Sequence, residues 1–257
     1  MKIVVLAAGY GTRLGLQTLH TPKPLLDLGG VPLLTRLLER LLTAGGGRAD
    51  GGAEGVSEIV VVSNARFAET FRAWRATAPF PVPVRILDDG TRTPADRLGA
   101  IGDLALAFEA VGPHDEDWLV SAGDMWIDLD LGPVAAAFRA SRAPRLVVRR
   151  VPRIECPSPY NEVTLESERV TGFREKPSDP RTDLAAIALY LLPGRAVEDV
   201  RAYLASGGNP DAPGHFIAWL CERQDVEASP LDGEWSDIGS PETLRATRAR
   251  FASGRSA

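Results

Sequence analysis

The sequence predicts an α/β fold whose mixed, mostly parallel sheet is flanked by helices. Three features of its 257 residues lead to this prediction. Unbroken apolar runs alternate with helical stripes over about the first 150 residues, a segment of alternating polarity follows, and glycine or aspartate comes directly after several runs. Strands that alternate with helices pair in parallel through right-handed crossovers, and the later alternating segment predicts an added antiparallel region.

The first half of the chain supplies the alternating elements. KIVVLAA (2–8) is an unbroken apolar run, typical of a strand buried on both faces. In VPLLTRLLERLLT (31–43) apolar residues recur every three or four positions, which predicts a helix, and the glycine-rich stretch 44–55 predicts a surface loop. The next elements are predicted as a strand at EIVVVS (58–63), a helix at 65–76, a strand at VPVRILDD (82–89), a helix at 97–111 and a strand at WLVSAGD (118–124).

The second half of the chain adds a hairpin and more helices. EVTLESERVTGF (162–173) alternates in two arms around Ser-Glu, which predicts two antiparallel strands. The other elements are predicted as strands at 145–151 and 184–192 and as helices at 131–141, 194–205, 214–223 and 241–252. No internal repeat or clear linker divides the sequence. It therefore predicts one domain over residues 1–257, with halves at 1–145 and 146–245.

Composition excludes several classes of function. A net charge of −5 argues against a general nucleic-acid surface. No apolar run approaches the ~20 residues that span a bilayer, and the first apolar run is too short for a signal peptide, so we expect a cytoplasmic protein without a membrane partner. The two cysteines form no CxxC, and the three histidines lie far apart in the sequence, so no zinc site is predicted.

The stretch LAAGYGTRLGLQTLHTPKP (6–24) follows the first predicted strand. It lacks the third glycine of a dinucleotide fingerprint, because Leu14 stands where GxGxxG needs glycine, and it contains no GxxxxGK[ST]. A simple turn explains Gly9 and Gly11, but residues 1–26 also carry three cations and no anion. Glycine amides with Arg13 at the carboxyl end of a strand predict an anion-binding loop.

Lysine is rare in this chain, since only three of its 29 basic residues are lysines: Lys2, Lys23 and Lys176. Elsewhere the chain uses arginine as its surface cation. A lysine here can mark a position that requires a compact point charge, although chance also explains so small a number.

Four ordered motifs resemble those of the sugar-1-phosphate nucleotidyltransferases. LAAGYGTRLGLQTLHTPKPL (6–25) is similar to the family's LAxGxGTRLxPLT…PKPL, with the same spacing from Gly11 to Lys23. SAGD (121–124) resembles its metal-binding Gly-Asp, and FREKP (173–177) its F-x-EKP. LYLL (189–192) resembles its G-[IL]-Y strand, and EWSDIGSPETL (234–244) its W-x-DIGTPE-x-L.

The resemblance implies a GT-A-like fold in which residues 1–145 bind a nucleoside triphosphate and 146–245 bind a sugar 1-phosphate. The implied reaction joins the two substrates with Mg²⁺ and releases pyrophosphate. Transfer to another phosphate acceptor, such as phosphocholine, is an alternative, and so is a homologue that binds a nucleotide sugar without making it. The family's longer members carry a C-terminal β-helix domain, which we do not expect here.

The resemblance also implies roles for individual residues. Arg13, Lys23 and Asp124 are the implied catalytic residues, and Asp124 and Asp237 the implied Mg²⁺ ligands. The implied nucleotide-binding residues are Ala8, Gly9, Gly11, Thr12, Arg13, Lys23 and Gly99. The implied sugar-phosphate-binding residues are Asn161, Glu175, Lys176 and Ala188.

Several positions depart from the family pattern. Gly15, Leu16 and Gln17 replace Arg-Pro-Leu, Ala188 stands where glycine is frequent, and the base-reading stretch corresponds only loosely to 89–103. These departures leave the substrates open. Two predicted ligands also have simpler interpretations, since Asp124 after glycine is typical of a turn and Asp237 precedes a helix that it could cap.

Overall fold

The computed structural model describes residues 1–44, 55–112, 116–151 and 159–252. The strands are β1 (Lys2–Leu6), β2 (Glu58–Ser63), β3 (Val84–Asp88), β4 (Trp118–Ala122), β5 (Met125–Asp128), β6 (Arg145–Arg150), β7 (Glu162–Glu166), β8 (Arg169–Arg174), β9 (Leu184–Leu192), β10 (Glu227–Pro230) and β11 (Glu234–Asp237). The helices are α1 (Leu33–Thr43), α2 (Ala68–Thr77), α3 (Ala100–Val111), α4 (Gly132–Ser141), α5 (Ala196–Ala205), α6 (Pro213–Cys221) and α7 (Pro241–Ala252). Short 3₁₀ helices span Thr12–Thr18 and Lys23–Leu25. Most of the predicted loop 44–55 lies outside the described residues.

The chain divides into two compact units. Unit 1 contains Met1–Val4, Leu98–Ser121 and Gly132–Asp232, and unit 2 contains Val5–Arg97, Ala122–Leu131 and Gly233–Ala257. The prediction of a single domain with halves that meet at residue 145 stays a prediction.

Unit 2 contains a parallel sheet and a small antiparallel one. Its strands in the large sheet lie in the order β3-β2-β1, with β2 and β3 parallel, while β5 and β11 form a separate antiparallel pair. The apolar face of α1 explains why this segment is helical: five leucines at helical spacing are buried, namely Leu33, Leu34, Leu37, Leu38 and Leu41. A cluster of buried side chains, which includes Leu14, Leu26, Trp126 and Ile238, underlies both 3₁₀ helices.

Unit 1 contains the first residues of β1, up to Val4, and the mixed part of the large sheet, in the order β1-β4-β9-β6-β10-β8-β7. Strands β4 and β6 each pair antiparallel with β9, β10 pairs parallel with β6, and β8 pairs antiparallel with β10 and β7. Of the six strands that follow β1 in this order, β4, β6, β10 and β7 therefore run one way and β9 and β8 the other. The predicted α/β class, with a mixed, mostly parallel sheet and an antiparallel hairpin, is confirmed.

Sequence reasoning missed three strands and the 3₁₀ helices. Strands β5, β10 and β11 have only four residues each, too few for a periodic pattern to emerge. The capping alternative for Asp237 is wrong, because this residue ends β11 and Ser240 caps α7: Ser240 Oγ accepts from Thr243 N at 3.2 Å. None of the helices within the described ranges is both long enough and apolar enough to cross a membrane.

Candidate functional site

The loop after β1 presents a row of unused backbone donors. Ala7 N still donates to Val62 O at 2.9 Å, but none of the N–H groups of residues 8–12 donates to an acceptor among the described residues. Ala8 is only 6% exposed, and Gly9 is exposed with no atom within 4 Å of the position of a Cβ. Because buried backbone donors are nearly always paired, this row is suited to bind an anion.

A buried asparagine and a threonine hold the loop in shape. Asn64 follows β2, is fully buried, and donates through Nδ2 to Ala8 O at 2.8 Å. Thr18 Oγ1 donates to Gly11 O at 2.9 Å. Gly11 has φ 62°, and an added Cβ would lie 3.0 Å from Thr18 Cγ2, so both conformation and space require glycine there. Sequence reasoning missed Asn64, whose only signal is a polar residue directly after a buried strand.

Tyr10 anchors the same loop through its side chain. Its hydroxyl lies 2.8 Å from Thr91 Oγ1. Thr91 Oγ1 in turn donates to Asp89 Oδ1 at 2.8 Å, so Tyr10 is the donor in the first bond. Burial, as the largest cause, raises the pKa of Tyr10, which therefore stays neutral and able to donate. The loop is thus fixed to the segment after β3.

Lys23 and Asp124 form an ion pair across 101 residues of sequence. Lys23 begins the second 3₁₀ helix, between the buried Pro22 and Pro24, and its side chain is 15% exposed. Its Nζ donates to Asp124 Oδ2 at 2.8 Å, and the aspartate side chain is 39% exposed. The pair thus places a shielded ammonium beside an accessible carboxylate, and a ligand that approaches it meets both charges.

Gly123 brings Asp124 close to the end of β1. These two residues form the turn between β4 and β5, as the simpler interpretation of Asp124 required. Gly123 N donates to Leu6 O at 2.9 Å, and a Cβ on Gly123 would lie 3.1 Å from that same oxygen. A larger residue would press against that backbone oxygen, which gives Gly123 a structural reason that the motif alone did not supply.

Asp237 lies next to this turn. It pairs with Met125 in the β5–β11 ladder, and Ile238 N donates to Asp124 O at 2.9 Å. Two carboxylates on adjacent chain segments, both at least partly exposed, suit Mg²⁺, which takes one or two carboxylates and completes its shell with substrate phosphates and water. The described residues contain no cluster of three or more His, Cys, Asp or Glu side chains arranged for a metal. The two predicted ligands therefore fit Mg²⁺ held jointly with a phosphate ligand.

Arg13 belongs to the first 3₁₀ helix and is exposed, directly before the buried Leu14. Within the described ranges its guanidinium forms no ion pair or hydrogen bond. It is therefore accessible to an external anion. Unit 2 thus contains the glycine loop, Arg13, Lys23, Asp124 and Asp237.

The predicted sugar-phosphate residues belong to unit 1. Glu175 and Lys176 follow β8, and Lys176 has φ 44°, a left-handed conformation that is uncommon for a residue with a Cβ. The Lys176 side chain is 59% exposed, with Nζ 4.0 Å from Glu175 Oε1. The lysine can therefore reach a ligand in solution.

The buried carboxylate of Glu162 binds both ends of the segment that contains Glu175 and Lys176. Glu162 Oε2 accepts from Arg174 Nε at 2.6 Å, and Oε1 accepts from the backbone N–H groups of Thr182, at 2.6 Å, and Arg181. Arg174 also donates to Asp179 Oδ1 at 2.9 Å. Burial by itself would raise the pKa of Glu162, but the two backbone donors and the Arg174 guanidinium together lower it below the usual range.

We expect Glu162→Gln to destabilise the protein at pH 7 by about 1–3 kcal/mol, because an amide NH₂ would face donors that now bond to a carboxylate oxygen. Since the folded-state pKa is lowered, this stabilisation is present above the ordinary glutamate pKa and is lost as pH falls through the folded value. Urea unfolding should therefore show a large difference from wild type at pH 7, and the difference should shrink as the pH is lowered below the ordinary glutamate pKa of about 4.3.

Glu166→Gln, an exposed position on the same strand, is the matched control and should change stability at neither pH. An equal loss in both variants at pH 7 would contradict the role assigned to Glu162.

The structure gives the three remaining predicted residues clear local roles. Asn161 forms two bonds with Ala186, donating to its oxygen at 3.0 Å and accepting from its nitrogen at 2.7 Å. Ala188 has φ 56° beside the register shift between β6 and β9, which explains why glycine suits this position. A Cβ on Gly99 would lie 2.6 Å from the Pro210 carbonyl, so close packing requires glycine there. Their contacts with substrates stay predictions.

Comparison with known proteins identifies the family of this chain. The nucleotidyl transferase family model matches residues 2–253. Glucose-1-phosphate thymidylyltransferase from Streptomyces antibioticus is 26% identical over 242 residues, covering 93% of this chain and 63% of the relative. Mannose-1-phosphate guanyltransferase from Yarrowia lipolytica is 26% identical over 246 residues, covering 94% and 61%. The chain thus spans about three fifths of the length of these curated relatives.

Solved structures share the fold. UDP-glucose pyrophosphorylase complexed with UDP-glucose superposes with a TM-score of 0.77 at 18% identity, covering 99% of both chains. A UTP-bound UGPase from Acinetobacter baumannii gives a TM-score of 0.75 at 18% identity, covering 97% of this chain and 92% of the other. At these identities the likeness shows the fold alone. Because the family model covers nearly every residue, this chain belongs to the nucleotidyl transferase family.

Proposed function

We propose that this protein transfers a nucleotidyl group from a nucleoside triphosphate to a sugar 1-phosphate, giving a nucleoside-diphosphate sugar and pyrophosphate. The observation that carries the proposal is that unit 2 contains both the row of unused amides at residues 8–12 and the Lys23–Asp124 pair. A polyphosphate offers the negative charge and the several acceptors that this row of donors requires. The names of the curated relatives supply the acceptor class.

The chemistry needs no general base. A non-bridging oxygen of the sugar phosphate attacks the α-phosphorus in line, a new P–O bond forms, and the bond to the β-phosphate oxygen breaks to release pyrophosphate. Since a phosphate monoester has its second pKa near ~6, the nucleophile is already ionised at pH 7. Catalysis then depends on positioning and on neutralising charge.

Different residues of unit 2 would bind different parts of the triphosphate. The amides of residues 8–12 would bind phosphate oxygens, and Arg13 would bind the departing pyrophosphate because its guanidinium is exposed. Lys23 would neutralise charge at the α-phosphate. Asp124 and Asp237 would hold Mg²⁺, which when bound lowers the charge of the phosphates.

The residues of unit 1 would bind the acceptor. Lys176 is the candidate for its phosphate, and Glu175 for a sugar hydroxyl, with Asn161 and Ala188 as further contacts; Gly99 is the candidate for the base. A cytoplasmic location belongs to the same proposal, because the reaction draws on nucleoside triphosphates.

A matrix of substrates tests the proposal. Each of ATP, CTP, GTP, UTP and dTTP is combined with glucose 1-phosphate, mannose 1-phosphate or phosphocholine, and pyrophosphate release is measured with Mg²⁺ and with EDTA. We expect release with at least one sugar 1-phosphate and Mg²⁺. Release with phosphocholine alone would indicate the other acceptor class. Nucleotide-sugar binding without release in any combination would indicate a non-catalytic homologue.

A further inference from the structure

The carboxylate of Glu175 lies where the side chain of another residue would be. A Cβ built on Gly214, in the first turn of α6, falls 1.8 Å from Glu175 Oε2 and 2.8 Å from its Cδ. Non-bonded carbon and oxygen atoms do not approach so closely, so any side chain at residue 214 would force the Glu175 carboxylate out of this position. The Phe173 ring, 3.1 Å from the same point, forms the other wall.

Backbone conformation does not explain this glycine. Gly214 is not among the glycines with positive φ, and alanine is the better helix former inside a helix. The close approach of the Glu175 carboxylate is therefore the contact that a side chain at residue 214 would disturb.

In its position against Gly214, the Glu175 carboxylate is shielded from solvent but available to a ligand. The Glu175 side chain is 15% exposed, and within the described ranges its only ion pair is with Lys176 at 4.0 Å, which is too long for a hydrogen bond. No donor from the described part of the chain bonds to it. A largely buried carboxylate without donors is ready to accept from a ligand hydroxyl.

A neighbouring phenol favours a hydroxyl as that ligand. Burial, and secondarily the charge of Glu175, raise the pKa of Tyr190, so this phenol remains a neutral donor near the carboxylate. A sugar hydroxyl both donates and accepts, and a carboxylate with a nearby phenol matches both functions. Arg174, directly before Glu175, is itself held by Glu162, to which its Nε donates at 2.6 Å.

We propose that Gly214 is a positioning residue for the acceptor. Because Gly214 lacks a side chain, the Glu175 carboxylate can occupy the position in which it accepts a hydrogen bond from a sugar hydroxyl. This inference rests on the proposed function, because it assigns a use to Glu175. Gly214 itself touches no substrate in this scheme and acts only through Glu175.

A double-mutant cycle tests the proposal. Gly214→Ala, Glu175→Ala and the double variant are compared with wild type, with glucose 1-phosphate and mannose 1-phosphate as probes. We expect Gly214→Ala to raise KM for the sugar phosphate about tenfold or more while KM for the NTP stays unchanged, since one hydrogen bond to a charged group is lost. In the Glu175→Ala background the same change should have less than about a twofold effect.

Gly172→Ala is the matched control, because it lies on β8 and its Cβ would meet Thr164 at an ordinary 3.5 Å. It should leave KM for the sugar phosphate unchanged. An unchanged KM in Gly214→Ala, or the same rise with and without Glu175, overturns the proposal.

Thermal unfolding of the same four proteins needs no substrate. Gly214→Ala should lower Tm when Glu175 is present and should not lower it when Glu175 is absent. In the absence of Glu175 the alanine methyl group meets no carboxylate, and alanine is the better helix former. If wild type uses no sugar 1-phosphate, the proposed function and the role in acceptor binding both fail. A Tm effect of Gly214→Ala that depends on Glu175 would still support the contact between these two residues. The same Tm change with and without Glu175 would contradict the placement of this carboxylate against Gly214.

Discussion

Replacing Lys23 with alanine should reduce kcat by about 10²-fold or more, with little change in the unfolding temperature. The ammonium is shielded, 2.8 Å from Asp124, and belongs to the same unit as the loop with unused amides. It is therefore placed to neutralise charge that develops at the α-phosphate, and such a group acts most strongly in the transition state. Steady-state kinetics with the best substrate pair from the matrix measure this effect.

Two further variants make the result specific to Lys23. Lys23→Arg retains the charge but replaces a compact ammonium with a planar fork, so it should restore little of the rate. Arg40→Ala breaks an ion pair of the same length in the same unit, between Arg40 and Asp128 at 2.8 Å, and should leave kcat near the wild-type value. Wild-type turnover in Lys23→Ala would remove this residue from the mechanism.

The second large effect is expected for Asp124→Asn, which should lower turnover by about 10²-fold or more. The substitution retains the size of the side chain and the turn formed with Gly123, but removes the charge that a divalent cation requires. It should also weaken Mn²⁺ binding in the presence of nucleotide by about tenfold or more, measured by EPR titration independently of activity.

Asp128→Asn provides the comparison for this prediction, because it is the same change four residues further along, at the end of β5. Mn²⁺ affinity and turnover should remain as in wild type. If Asp124→Asn bound Mn²⁺ as tightly as wild type, the metal would have to be held elsewhere.

The sequence predicted the residues of the candidate site better than it predicted how they are held. Resemblance pointed to Lys23 and Asp124 separately, and the structure joins them in one hydrogen bond. Asn64, which fixes the peptide after Ala8, carries no motif that could have drawn attention to it. A supporting residue is defined by the atoms that it reaches, and those atoms are 56 positions away in the sequence.

The positions with unusual backbone or close contact show the same difference. The resemblance noted that Ala188 replaces a frequent glycine, but only the φ of 56° at a register shift gives the physical reason. In the sequence Gly214 is an ordinary helix-start glycine, and Gly99 is predicted to bind the nucleotide only through the resemblance. In the structure the Pro210 carbonyl occupies the space of a side chain at Gly99, and the Glu175 carboxylate occupies that space at Gly214.

By itself the sequence determined the α/β class, most of the long strands and helices, and the family, because hydrophobic periodicity and ordered motifs are local or linear signals. Only the tertiary structure decided the pairing of β5 with β11, which brings Asp237 beside the turn of Asp124. It also decided which segments form each unit. These features depend on contacts between distant residues, and a linear pattern does not specify which distant residues meet once the chain is packed.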